Sequence, residues 1–176
     1  MNLFVAALVV ASAMTSLQKA LDSSATWTME RRLPGSSRVF LSSGTVTGKA
    51  GQGILWEVKE PFASSVEMTT NSMIFVEDGN RRVKPLDELP YYADFRRATD
   101  AFVAGDSHAF DGVFTIEECA MPGDGWKIIL TPTVSAMRRL IGRVELTGDA
   151  LPTNAVLESA DGGSSVIRFK ELPRVR

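Results

Sequence analysis

The chain holds few residues suited to making or breaking bonds. Its one histidine, His108, sits in Gly105-Asp106-Ser107-His108, and its one cysteine, Cys119, lies between Glu118 and Ala120. A nucleophile, its base and the group that orients the base must line up in space. Three sequence neighbours do not place their side chains in line, so Asp106, Ser107 and His108 do not form a triad. His108 reads as a surface-loop residue. Cys119 has no second cysteine to pair with and reads as a small packed hydrophobe at a strand end. The acidic pairs Asp87-Glu88 and Glu117-Glu118 read as solvated residues. No Gly-x-Ser-x-Gly elbow, P-loop or Gly-x-Gly-x-x-Gly occurs, and no Cys/His/Asp group has metal-ligand spacing. The expectation is a protein that is not an enzyme, with no catalytic residue, metal or cofactor.

Apolar residues at regular spacing offer a different chemistry, the sheltering of a greasy ligand. Trp27 and Met29 alternate with Thr26, Thr28 and Glu30; Ile54, Trp56 and Val58 stand opposite Leu55, Glu57 and Lys59. Val66 and Met68 alternate with Ser65, Glu67 and Thr69, and Met73 to Val76 ends at the turn signal Asp78-Gly79-Asn80. Period two is the signature of a strand with one apolar face. Trp27, Met29, Ile54, Trp56, Val58, Met68 and Phe75 are therefore expected on one side of a sheet, lining its concave wall.

The elements that position these residues follow from the same pattern. Thr15-Ser16 could cap a short helix from Leu17 to Leu21. Leu33-Pro34-Gly35-Ser36 reads as a turn, Arg38 to Thr47 as a strand with a bulge at Ser43-Gly44, and Glu60-Pro61 as a strand end. Asn71-Ser72 is a hairpin site. From Pro85 to Ala104 period two is lost. Tyr91, Phe95, Ala98 and Phe102 fall at i, i+4, i+7 and i+11, a helical stripe stopped by Gly105. Strands resume at Val113–Glu117 and at Trp126, Ile128 and Leu130, broken by Pro132. Ser135 to Ile141 reads as a short helix ended by Gly142, with Met137 and Leu140 as neighbours of the stripe. Val144 and Leu146, Ala155 to Leu157 and Val166 to Phe169 complete the strands, the last two joined through Asp161-Gly162-Gly163.

At 176 residues the chain suits one domain able to bury a core. An apolar fraction of 44% with 23% charged residues excludes a disordered or fibrous chain. A net charge of -2 and scattered basic pairs (Arg31-Arg32, Arg81-Arg82, Arg96-Arg97, Arg138-Arg139) argue against nucleic acid as a partner. The apolar run Leu3–Val10 is shorter than the ~20 residues a membrane span requires. Followed by Ala11-Ser12-Ala13, it reads as a signal peptide over residues 1–13, although Met1-Asn2 supplies no Lys or Arg. The alternative is a buried first helix. On the signal-peptide reading the mature domain is 14–176, starting near Met14, and no Leu-x-x-Cys lipobox marks it for lipidation.

Roughly ten short antiparallel strands twist and curl rather than stay flat. Two or three short helical segments cover little of the apolar face, which leaves an interior that can stay partly open. The seven methionines suit such an irregular surface. On pattern alone, a dry core lined by the same residues is the preferred reading over a cavity.

The order of motifs changes that preference. A short helix is followed by Trp27-Thr28-Met29, Ser43-Gly44 and Ile54-Leu55-Trp56-Glu57-Val58-Lys59-Glu60-Pro61-Phe62. Met73-Ile74-Phe75-Val76-Glu77-Asp78-Gly79 and the helical insert come next. Trp126-Lys127-Ile128-Ile129-Leu130-Thr131-Pro132 and Asp161-Gly162-Gly163 before Val166-Ile167-Arg168-Phe169 complete the series. In this order the motifs resemble the periplasmic outer-membrane lipoprotein carrier (LolA) family of Gram-negative bacteria, over nearly the whole chain after Ala13. The resemblance implies an α+β, mainly β fold: a strongly curved antiparallel sheet forming a half-open β-barrel, covered by a few short helices. It implies a periplasmic, monomeric chaperone that binds acyl chains of lipoproteins or lipids. The inner-membrane transporter and the outer-membrane receptor would be its partners. The helical segment 85–104 would be the lid, with Tyr91, Phe95 and Phe102, and with Met137 and Leu140, adding to the ligand-binding wall. Family members often carry an Arg-Pro pair before the Trp-containing strand. Here Lys49-Ala50-Gly51-Gln52-Gly53 stands in its place. The alternatives are a carrier of another acylated metabolite and a non-lipid periplasmic interaction module that uses open sheet edges.

Overall fold

Period-two alternation produces the expected large antiparallel sheet. The structure, a computed structural model, describes residues 19, 23–49, 53–69, 71–88, 108, 110–121 and 125–171. These contain eleven strands in one sheet. The first six are β1 (Ser24–Arg32), β2 (Val39–Lys49), β3 (Gly53–Glu60), β4 (Ser64–Met68), β5 (Ser72–Glu77) and β6 (Asn80–Pro85). A 3-10 turn, Leu86–Glu88, follows. Then come β7 (Phe114–Ala120), β8 (Trp126–Pro132), the one-turn helix α1 (Ser135–Arg138), β9 (Ile141–Gly148), β10 (Pro152–Ser159) and β11 (Ser164–Glu171).

The sheet order is β6-β5-β4-β3-β2-β1-β11-β10-β9-β8-β7, antiparallel throughout. The chain thus makes two meanders. One runs outward from β1 to β6; the other starts at the far edge with β7 and returns to β11. The meanders join where β11 pairs with β1, with Trp27 opposite Phe169. Among the described residues β6 and β7 do not pair with each other, so the sheet is open.

Turn chemistry fixes the register. At the β5–β6 turn Asp78 and Gly79 both have positive φ, 50° and 76°, as a two-residue hairpin of this twist requires. At the β10–β11 turn the Asp161 carboxylate accepts a hydrogen bond from the Gly163 amide at 3.0 Å. The Ser36 amide closes the β1–β2 turn on the Leu33 carbonyl. The bulge expected at Ser43-Gly44 is present as a register shift against β3. Pro85 and Pro132 each close a strand, since proline brings no amide hydrogen to the ladder.

Several expected boundaries move. β6 is not expected from the pattern: Asn80–Pro85 is exposed along its whole length with Val83 and Pro85 its only apolar residues, and β5 templates it through the tight turn. Pro85 therefore belongs to a strand rather than to the start of a helix. Of the expected lid, residues 89–104 lie outside the described residues, as do 1–13. Of the segment Leu17–Leu21 only Lys19 is described, and it is helical. Val113 precedes β7 in a turn, its amide bonded to the Phe110 carbonyl. The helix expected from Ser135 to Ile141 stops at Arg138, because Ile141 pairs with Ser159 in the β9–β10 ladder.

Candidate functional site: the apolar face of the sheet

Cross-strand register decides which residues share a face, because directly opposed residues point the same way. Trp27 and Met29 of β1 lie opposite Phe169 and Ile167 of β11, and opposite Gly44 and Ser42 of β2. Across β2, Gly44 and Val46 oppose Val58 and Trp56 of β3, and Gly48 opposes Ile54. Ile54 and Trp56 in turn face Met68 and Val66, which face Met73 and Phe75 of β5. Trp27, Met29, Ile54, Trp56, Val58, Met68 and Phe75 thus occupy a single face. The same face continues through Ala155, Leu157, Leu146 and Val144 to Ile128, Leu130 and Ile116 of the second meander.

An aromatic chain crosses the centre of this face. The Trp27 and Trp56 rings stack with centroids 4.7 Å apart, and Trp56 meets Phe169 edge-on at 6.1 Å. Stacking from β1 to β3 requires a ring to lie across β2, and Gly44 permits it. A Cβ there would strike the Glu57 carbonyl and come within 2.8 Å of Trp27 Cζ2. Gly148 plays the same part beneath Trp126 in the second meander, where a Cβ would come within 2.7 Å of Trp126 Cζ2 and strike the Leu151 carbonyl.

The two meanders use the face differently. In the second, Trp126, Ile128 and Leu130 are buried together, with Phe114, Ile116, Val144 and Leu146 packed around them. From β3 to β5, none of the described apolar residues of this face is fully buried; Ile54, Trp56, Val58, Val66, Met68, Met73 and Phe75 are all half-buried.

Charge sits mainly on the opposite face. Arg168–Glu30 at 2.7 Å, Lys127–Glu145 at 2.7 Å and Arg143–Glu145 at 3.5 Å all lie there, as does the hydrogen bond from Thr45 to the Glu57 carboxylate at 2.8 Å. On the apolar face, Arg82 and Lys84 of β6 oppose Phe75 and Met73 and form a basic margin, with Arg82 3.5 Å from Glu77.

Two polar atoms break the apolar character of the wall. Trp27 is 1% exposed and its Nε1 has no hydrogen-bond partner; the Oγ of Ser42, also buried, has none either. By contrast, Trp126 Nε1 donates to the Asp149 carbonyl at 2.7 Å.

Of the remaining expected site residues, only Met137 and Leu140 are among the described ones. Met137 is buried against Val113, with Phe110, Phe114 and Val134 around it, and Phe114 links this small cluster to the one around Trp126. Leu140 is 55% exposed. Tyr91, Phe95 and Phe102 lie outside the described residues. His108 is exposed in a turn, its Nδ1 3.0 Å from the Asp111 carboxylate. Among the described residues no group of His, Cys, Asp or Glu is placed to hold a metal ion, and no helix is long and apolar enough to cross a membrane.

The residues that pattern reading missed are Ser42, Val66, Met73, Ile167 and Phe169 as members of this face. Val66 carries the period-two signal, whereas Met73 begins the continuous apolar run Met73–Val76, which shows no alternation. Ser42, Ile167 and Phe169 reach the wall only through strand pairing.

An open antiparallel sheet of two meanders is a fold also seen in solved structures. The LolA superfamily protein of Nitrosomonas europaea has this fold: the TM-score is 0.50 at 13% identity, covering 97% of this chain and 94% of that one. Similar structures also include a DUF1329 family protein from Desulfovibrio piger (TM-score 0.45, 13% identity, 97% and 92% covered). LprF from Mycobacterium bovis gives a TM-score of 0.40 at 16% identity, with 97% and 94% covered. No family model matches the chain, and no curated protein matches it in sequence.

Proposed function

We propose that this protein is a periplasmic carrier that holds the acyl chains of a lipid or lipoprotein against the β1–β5 wall and moves them between the two membranes. One observation carries the reading: the apolar face is continuous, yet its β3–β5 part is half-buried throughout, while in the second meander Trp126, Ile128 and Leu130 of β8 are buried under half-buried neighbours. A wall of Trp, Met, Val and Ile with few polar anchors suits a load that must be both taken up and released. Shielding acyl chain from water contributes ~0.8 kcal/mol per CH₂. About a dozen such groups contribute several kcal/mol net of ordering costs. The fold shared with the Nitrosomonas europaea protein supports this choice of class. In this reading the chain acts as a monomer without catalysis, loaded by an inner-membrane transporter and unloaded at an outer-membrane receptor.

The edge strand β6 is exposed and could in principle receive another strand. Its Arg81, Arg82 and Lys84 are of the kind that oppose edge pairing, so an interaction module built on that edge is the weaker reading. The test is organic extraction and mass spectrometry of protein purified from its native host without detergent. Stoichiometric acyl lipid is expected. Protein that carries none, and that takes up no acyl probe, contradicts the proposal.

A further inference from the structure

We infer that the wall contains a seat for a neutral carbonyl oxygen, formed by the Trp27 indole N–H and the Ser42 hydroxyl, so that the preferred ligand is an acyl ester or amide rather than plain hydrocarbon. The inference rests on the reading of this face as an acyl-binding wall and adds the chemical class of the group held there.

Buried N–H and O–H groups in folded proteins nearly always have partners, because leaving one unpaired forfeits the hydrogen bond it made with water. Trp27 Nε1 and Ser42 Oγ are exceptions, and among the described residues nothing pairs with either. Their positions are related. Ser42 and Gly44 lie on the same face of β2, two residues apart, opposite Met29 and Trp27. The Cζ2 edge of the Trp27 ring, next to the ring carbon that bears Nε1, overlies Gly44. Both orphan atoms therefore belong to residues on one face of the paired strands β1 and β2, next to the Trp27–Trp56 stack.

The two donors define what they accept. An indole N–H only donates, and a serine hydroxyl donates as readily as it accepts, so the missing partner offers a lone pair. The surroundings are an indole ring, a glycine and Met29, which is too apolar a setting for a carboxylate to keep its charge without a high desolvation cost. A neutral ester or amide carbonyl meets the requirement, and its hydrocarbon chain continues over Trp56, Val58 and Val66. Trp126 shows the alternative within the same molecule: an equally buried indole on a matching glycine, satisfied internally by the Asp149 carbonyl. The fold is thus able to pair an indole at this kind of position, and at Trp27 it does not.

The test compares methyl decanoate with undecane as competitors for a bound bis-ANS probe, on the wild type, Trp27→Phe and Ser42→Ala. The wild type is expected to prefer the ester. Each substitution is expected to weaken ester binding about fivefold, equivalent to ~1 kcal/mol. Undecane binding is expected to keep its value in Ser42→Ala, and the ester-to-alkane ratio to fall in both variants. Thermal melts of the free proteins check folding; Ser42→Ala should melt no earlier than the wild type, since it removes a buried group that has no partner. If both probes bind all three proteins with an unchanged ratio, the carbonyl seat is wrong and the acyl-binding wall stands. If neither probe displaces bis-ANS from the wild type, both fail.

Discussion

Trp27 and Trp126 are set in the sheet in the same way but sit in different surroundings. Both lie on the apolar face, both are buried, and each ring rests on a glycine of the next strand. Around Trp126 the face is closed: Ile128 and Leu130 are buried with it, and its indole N–H is bonded to Asp149. Around Trp27 the face opens into the half-buried β3–β5 wall, and the indole N–H is unpaired. One alternation pattern therefore builds two surfaces, a core that stabilises the fold and a wall with apolar area left to offer. On the proposed reading, folding stability rests more on the buried β8 residues and ligand uptake on the half-buried β3–β5 wall, so substitutions should separate the two.

The largest expected effect is at the dry end. Trp126→Ala should cost ~3–5 kcal/mol of stability in urea unfolding, as for other fully buried aromatic residues. Trp56→Ala, from a half-buried site, should cost less than half as much, while removing most uptake of an acyl probe. A Trp56→Ala protein that is as destabilised as Trp126→Ala and still binds probe would reverse the assignment. Next come the glycines. Gly44→Ala and Gly148→Ala both force a Cβ into backbone and an indole ring, at about 1–3 kcal/mol or more. Gly44→Ala should in addition break the Trp27–Trp56 stack and lower probe uptake; Gly148→Ala should leave uptake of the folded fraction intact. The smallest contrast is between conservative changes. Trp126→Phe gives up a made hydrogen bond and should cost about 1–2 kcal/mol, whereas Trp27→Phe removes an unmade one and should lie closer to neutral. Equal costs for the two, measured by the same unfolding titration, would mean that the Trp27 N–H is paired in solution.

Much of the frame is legible from local chemistry. Period two at Trp27-Met29, Ile54-Trp56-Val58 and Met68 gives each strand one apolar face without reference to any fold, and Asp78-Gly79 and Asp161-Gly162-Gly163 mark the β5–β6 and β10–β11 turns. β6 was not legible, because Asn80-Arg81-Arg82-Val83-Lys84 has no apolar alternation and becomes a strand only by pairing with β5. The short helix was overextended because Ile141 satisfies a helical spacing as well as a strand register, and the ladder with β10 decides. Ser42 was invisible as part of the site: nothing near it in sequence says that it will lie opposite Met29. The burial difference between the two meanders was equally out of reach, since Ile54-Trp56-Val58 and Trp126-Ile128-Leu130 have the same pattern. Only what packs above each strand distinguishes them.

The central claim, that acyl chains lie against the first meander and not the second, can be measured with the three tryptophans themselves. Doxyl-stearate quenches indole fluorescence at short range. In Trp126→Phe, which retains Trp27 and Trp56, titration with doxyl-stearate should give strong, saturable quenching. In the double variant Trp27→Phe/Trp56→Phe, which retains only Trp126, emission should be nearly unchanged when Ser42 and the rest of the wall are intact. Quenching of Trp126 as strong as that of the Trp27–Trp56 pair, or no saturable quenching of either, would contradict the account.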